Sequence, residues 1–274
     1  MILDKTYLGS TEIEKIYLGY TLVYPTVSYH PDYLAVIAEA ELQGYAKPNS
    51  AEQDAQNQII QDMDDDGLWA TTDAMFYFKG DGDSDFKKIN WKNPTGDKAV
   101  DTGATPLTYA TDGLLGNDIN YLDLKWNPTD DSAINYTQNN FSIAIDIVTA
   151  QTTDTSLLEG NTAGAARSIA IQGAGTFQYY HSTGNGARSI DDFSGTGFKV
   201  IDFLTNVAYI YTNGTLTETS ATLTTDSFVG KDFGLLKIGS SGRGTAKIGS
   251  IIFGGSLDSN ATNHTNLYNA INGL

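Results

Sequence analysis

From Leu68 onward the chain alternates apolar and polar residues with the period of two that marks half-buried β-strands. Residues 141–148, 168–172, 198–203, 208–211, 235–239 and 247–253 read this way, and 74–78 is a short continuous apolar run. Asn213 followed by Gly214, between β-prone runs, predicts a type I′ hairpin. About ten short strands separated by glycine-rich turns predict an antiparallel β-sandwich or jelly roll. No stretch of this region has the length and period of a βαβ helix, so it is expected to be all-β.

The period changes upstream. Residues 30–67 read as a helical hairpin. Pro31 suits a first turn, Tyr33, Leu34, Ile37 and Leu42 keep roughly helical spacing, and Gly44 can end the helix. After a turn at 46–49, Ser50 and Gln53 have the spacing of a capping box. Ala55, Ile59, Ile60 and Met63 then line one face, and Gly67 closes the segment. Asp64, Asp65 and Asp66 sit at the wrong end of the helix dipole. They suit either a solvated, frayed end or a cation or basic partner. Residues 5–24 repeat a short unit, Tyr7-Leu8-Gly9 and Tyr17-Leu18-Gly19, and read as two or three short strands. Such a ribbon is marginal alone. It folds onto its own domain or docks the chain to a larger assembly. The expected division is 1–26 ribbon, 27–67 helical hairpin and 68–274 sandwich.

Charge sharpens that division. The chain has 274 residues and a formal charge of -17, with 40% hydrophobic and 18% charged residues. Residues 1–70 hold 3 basic and 12 acidic residues, against 13 and 21 in residues 71–274. Five of the seven glutamates precede position 53, which fits an early helical segment. The apolar content supports a sizeable core. The acidity excludes a phosphate-backbone binder, so no nucleic-acid partner is expected. No apolar run approaches the ~20 residues of a membrane span, and no secretory signal is visible, so no membrane insertion is expected. The absence of cysteine excludes disulfides, thiolate zinc sites and cysteine nucleophiles.

Residues 209–216, 236–239 and 249–257 resemble the closing half of a laminin-G-like, concanavalin-like lectin jelly roll. Gly44-Tyr45, 48–50, 67–69, 76–78 and 89–94 resemble a segment of tailed-bacteriophage structural proteins. The opening residues 7–13, 15–19 and 22–24 are similar to the N-termini of phage tail and fibre proteins. The resemblance implies a fold class that is mostly β: a small β-ribbon and a helical hairpin before a concanavalin-like sandwich. It also implies a virion structural protein of the tail, baseplate or fibre class. Tyr7, Leu8, Ile13, Ile16, Tyr17, Leu18 and Val23 would then dock it to other virion proteins, as a homo-oligomer within the particle.

Candidate chemistry is sparse. Glycosidases need a carboxylate pair. Glu159 and Glu218 lie far apart in sequence, and Asp146 has no acidic neighbour two residues away. Of the three histidines, His30 precedes Pro31 and His264 lies in a polar stretch, so surface or capping roles are expected for both. No enzymatic turnover is expected. Asp81, Asp83 and Asp85 alternate like a calcium loop, but Lys92 stands where an EF-hand would place Glu. The loop reads first as a solvated turn and second as a calcium rim site; the resemblance adds weight to calcium, since jelly rolls of this family often hold it there, without displacing the turn. Residues 177–188 offer rings and planar polar groups for a glycan: Tyr179, Tyr180, His181, Asn185 and Arg188, beside a glycine-rich loop. Tyr121, Trp126 and Asn127 are a second candidate. Core packing and hairpin turns compete with both assignments. Alternation puts one of Tyr179 and Tyr180 outside. The expected function is that of a virion structural protein displaying a lectin-like domain, with host-surface glycan attachment as the use such a domain suggests. A non-binding head or neck decoration protein and a polysaccharide-degrading glycosidase are the alternatives.

Overall fold

The computed structural model describes residues 7–8, 11–12, 16–18, 21–24, 28–103, 105–137, 139–150, 155–160, 169–173, 177–181, 188–190, 195–205, 207–221, 232–238, 241–242, 244–258 and 260–273. Four very short strands, β1 (Tyr7–Leu8), β2 (Thr11–Glu12), β3 (Ile16–Leu18) and β4 (Thr21–Tyr24), pair as two antiparallel ribbons. Next come α1 (Pro31–Gln43), α2 (Ser50–Asp65) and the single turn α3 (Leu68–Thr71). The strands that follow are β5 (Thr72–Tyr77), β6 (Val100–Asp101), β7 (Thr108–Ala110), β8 (Gly113–Leu115), β9 (Leu122–Asp123), β10 (Asn140–Thr149), β11 (Thr155–Gly160), β12 (Ile169–Gly173), β13 (Phe177–His181) and β14 (Arg188–Ile190). The remainder are β15 (Gly197–Leu204), β16 (Val207–Thr212), β17 (Thr215–Ala221), β18 (Phe233–Leu235), β19 (Lys237–Ile238), β20 (Ser241–Gly242), β21 (Lys247–Gly254) and a C-terminal helix, α4 (Ala261–Asn272).

Two antiparallel sheets stack as a sandwich of the jelly-roll class. One runs β17-β16-β15-β10-β21, with the far edge of β21 shared by β5 and by β8, which pairs β7. The other runs β14-β13-β12-β11-β18-β9-β6. The hairpin between β16 and β17 turns on Asn213 and Gly214 at φ 49° and 75°, both left-handed as a type I′ turn requires.

Alternation fills two cores, one on each side of the first sheet. Phe141, Ile143, Ile145 and Ile147 of β10 face the second sheet, together with Phe76, Ile201, Ile251, Phe253, Leu158 and Leu235. Ala144 faces the other way and shares a core with Val200, Tyr211, Ile252 and Met75 and with the helices' Tyr33, Ile60, Met63 and Leu267. The architecture is therefore three layers: helices, eight-stranded sheet, seven-stranded sheet. The helical hairpin shares one core with the sandwich, so the two do not pack as separate bodies.

Several helix expectations hold. Pro31 opens α1, and Gly44 and Gly67 close their helices at φ 76° and 73°. Others are corrected. Leu34 and Leu42 point outward, 50% and 78% exposed, because the buried face of α1 is Tyr33, Val36, Ile37 and Ala40. Ala55 is also exposed, and Gln56 and Asn57 take the inner positions of α2. The N-cap of α2 is Asn49, which accepts from Ala51 N and Glu52 N, while Gln53 Nε2 donates to Pro48 O. The capping box at Ser50 does not form, because the helix starts one residue earlier and Gln53 N already donates to Asn49 O at 2.9 Å. The C-terminal helix is the largest departure. Asn260 caps it, Gly273 ends it at φ 66°, and His264, Leu267, Ala270 and Ile271 form its buried stripe. Among the described residues, no helix is long and apolar enough to cross a membrane.

Candidate functional site

The helix layer closes one face of the sandwich. Antiparallel partners lie on the same side of a sheet, so Phe198, Asp146, Ser250 and Tyr77 form one row across β15, β10, β21 and β5. Asp146 is buried and pairs with Lys79 Nζ at 2.6 Å. Above this row, Trp91 packs edge-on against Tyr33, 5.7 Å between centroids, and is tilted on Tyr77 at 5.2 Å. Tyr33 OH donates to Gln56 Oε1 at 2.9 Å. Burial first, then Glu52 and Asp146, pushes the Tyr77 phenol well above its usual range.

A second polar row holds Asp202 and Ser142. Asp202 Oδ2 meets His264 Nε2 at 3.0 Å, and Asp202 Oδ1 accepts from Leu257 N at 3.0 Å. The His264 ring stacks on Tyr211 with centroids 3.4 Å apart, and both His264 and Asp202 are fully buried. The surface role expected for His264 is corrected: this side chain fastens α4 to the sheet. His30 does cap, accepting from Asp32 N through Nδ1 at 3.2 Å. Among the described residues no carboxylate pair is open to substrate on this face. Glu159 and Glu218 lie on different sheets.

The Asp81–Asp85 loop ties the layers together. Asp81 accepts from Asn49 N at 3.0 Å and from Asn49 Nδ2. Asp83 Oδ2 accepts from Ala46 N at 2.7 Å, and its Oδ1 accepts from Asp85 N and Phe86 N at 3.0 and 2.8 Å. Asp85 pairs with Lys88 at 3.2 Å. The Asn49 amide is the main reason the Asp81 carboxyl sits below its ordinary range. Calcium needs six to eight oxygens converging on one point. These oxygens are spent on amides of the α1–α2 turn, on amides of the loop itself and on a lysine, so the loop does not fit calcium. Among the described residues no three acids or histidines group as ion ligands.

The outer face of the seven-stranded sheet carries no described helix. Leu158, Leu235 and Leu122 are aligned across β11, β18 and β9 and belong to the core. The alternate row, Glu159, Gly234, Asp123 and Val100, therefore lies on the outer side, and backbone pairing extends it through Ala170 to the position of Tyr180. Tyr179 falls in the inner row with Ile171 and Leu158. The side chains of Tyr179, Tyr180, His181 and Arg188, and all of Asn185, lie outside the described residues, as do Ile13 and the side chains of Tyr7, Leu8, Ile16, Tyr17, Leu18 and Val23.

Around Asp123 the outer face is polar and charged. Lys125 Nζ lies 2.7 Å from Asp123 and 3.7 Å from Asp232, and the Asp123 hydrogen bond, ahead of opposing burial, raises the Lys125 ammonium. Lys237 Nζ stands 5.0 Å above the Tyr121 ring, whose phenol burial pushes up. Sequence reasoning named Tyr121 but missed Lys237, Lys125 and Asp123. Strand alternation around Leu122 was the signal that could have found Asp123. Trp126 is corrected: only 4% exposed, it stacks on Phe233 and packs edge-on against Tyr136 in the core. Asn127 is buried too, donating to Asp232 Oδ1 and accepting from Thr129 N and Asp130 N.

No family model and no curated protein matches the chain. Solved structures do. One is domain 4 of an extracellular arabinanase from Geobacillus stearothermophilus, in complex with arabinotriose: 16% identity, 72% of this chain, 98% of that one, TM-score 0.53. A second is the binding domain of botulinum neurotoxin DC with rat synaptotagmin II, at 15% identity, 74% and 52% coverage and TM-score 0.53. A third is a Trypanosoma rangeli sialidase variant displaying trans-sialidase activity, at 8% identity, 81% and 40% coverage and TM-score 0.52. The chain thus spans about half or less of the toxin and sialidase chains. At these identities the likeness is one of fold, and it agrees with the lectin-like sandwich.

Proposed function

We propose that this chain is a glycan-binding module that uses the outer face of its seven-stranded sheet near β9, around Tyr121, Asp123 and Lys237. The observation that carries this reading is the asymmetry of the sandwich. Helices seal the outward carboxylates of one sheet, whereas Tyr121, Asp123, Lys125, Asp232 and Lys237 gather on the side of the other that carries no helix among the described residues. A ring beside hydrogen-bonding groups is what a shallow sugar site needs. The arabinanase domain of the same fold, solved with arabinotriose, supports the reading. A glycan array probed with the full chain tests it. Binding that falls at least about ten-fold in Tyr121→Ala, a loss of ~1.4 kcal/mol, is expected. No binding to any glycan contradicts it and favours a decoration role. Binding without turnover is part of the proposal, and release of reducing ends by the purified protein would contradict that part.

The module belongs, in this reading, to a bacteriophage virion of the tail, baseplate or fibre class, with residues 1–26 as its attachment. The resemblance of that segment to tail and fibre N-termini supports the assignment. Weak single-site affinity would be offset by many copies on a symmetric particle. Deleting 1–26 is expected to abolish incorporation into particles while the sandwich still folds. Normal incorporation of the truncated chain contradicts it.

A further inference from the structure

One half-buried side chain on this outer face is held in a way that packing alone does not require. β18 ends at Leu235, and Leu236 follows at φ 61°, a left-handed conformation that a leucine rarely adopts. Leu236 is fully buried and its amide donates to Leu157 O at 2.6 Å, so the reversal is fixed from both sides. It turns Lys237 back across its own strand. A Cβ at Gly234 would lie 2.2 Å from Lys237 Cδ and 2.9 Å from Lys237 Cβ, so the lysine stem fits only because position 234 has no side chain. The stem ends with its ammonium over the Tyr121 ring. Among the described residues Lys237 has no carboxylate partner; its one recorded polar contact is that ring. The neighbouring Asp123 is engaged by Lys125.

We propose that Lys237 is the anchor for a sugar carboxylate, so that the glycan taken by this face is acidic, a uronate or a sialate. The inference rests on the glycan-binding reading above and names its substrate class. An ammonium donates to a carboxylate in a charge-assisted bond roughly twice as strong as one to a neutral hydroxyl. The Tyr121 ring beside it supplies an apolar platform for the sugar's C–H face. The formal charge of -17 does not forbid an anionic ligand. Charges beyond about 8 Å are largely screened at physiological salt, and Asp123 is already paired with Lys125.

The test uses the full chain against uronate- and sialate-containing oligosaccharides and their carboxyl-reduced counterparts, by titration calorimetry. The expected result is at least one acidic oligomer bound ten-fold or more tighter than its reduced form. Lys237→Gln removes that preference and Lys237→Arg keeps it. Gly234→Ala, whose new methyl displaces the stem, also removes the preference. Equal affinity for acidic and reduced forms, or a preference that survives Lys237→Gln, overturns the inference and leaves the glycan reading standing. No binding to either series overturns the reading itself, and the inference with it.

Discussion

On the eight-stranded sheet the outward carboxylates are Asp146 and Asp202; on the seven-stranded sheet the one set against them is Asp123, since Glu159, in the same row on central β11, is fully buried. All three sit at alternate strand positions beside core residues, and their local sequences look alike. Their environments differ because of what lies above them. Asp146 and Asp202 are roofed by α1, α2 and α4 and spend their oxygens on Lys79, His264 and the Leu257 amide. Asp123 has no described helix above it, and its Lys125 partner is over a third exposed. The comparison teaches that a strand's period tells which residues face outward, whereas the neighbouring layer decides whether outward means solvent.

That contrast can be broken at the pair of aspartates. Asp202→Ala leaves His264 and the Leu257 amide buried without their acceptor, and a loss of roughly 3–5 kcal/mol is expected from chemical denaturation. Asp123→Ala removes a partly exposed ion pair and is expected to cost under about 1 kcal/mol. Equal losses would show that the two faces are not differently enclosed. A smaller effect is expected at the interlayer clamp. Asp83→Ala frees three backbone amides and should cost about 0.5–2 kcal/mol. Calcium or a chelator should leave the melting temperature unchanged, and a calcium-dependent rise would return the loop to an ion site.

The acid limb of stability sharpens the account of the helix layer. The Lys98 hydrogen bond holds the Glu39 carboxyl below its ordinary 4.5, with burial opposing and Gln43 assisting. A lowered folded value means this stabilisation is present above pH 4.5 and is lost as pH falls through the lower folded value. Glu39→Gln should flatten that part of the stability profile; an unchanged slope would show that the pair does not hold α1 to the loop at Lys98. The smallest effect is expected on the outer side of α1. Leu42→Lys should shift stability by no more than about 0.5 kcal/mol, while Ile60→Ala, in the shared core, should cost about 2–5 kcal/mol.

The sandwich was legible because alternation at 141–148, 198–203 and 247–253 survives even where both sides are buried. The hairpin at Asn213-Gly214 was legible from turn chemistry alone. Helix α4 was not, because a polar first turn hid a stripe of His264, Leu267 and Ile271 that only a second core explains. Leu34 and Leu42 misled because helical spacing fits either side of an amphipathic helix. Asp81, Asp83 and Asp85 misled because the carboxylate pattern of an ion loop and of an amide clamp is the same in one dimension. Trp126 was ambiguous for a related reason, since rings serve cores as well as sugars. Lys237 left no signal, because its position depends on the left-handed Leu236 and on the bare Gly234.

Hydrogen exchange of the full chain, with and without the tightest-binding glycan from the array, tests the central claim most directly. Slowed exchange is expected at the amides of Tyr121, Asp123, Gly234 and Lys237, and no change along Asp146, Ser250 and Tyr77. Protection confined to the helix-covered row, or to the edges of the eight-stranded sheet, would contradict it.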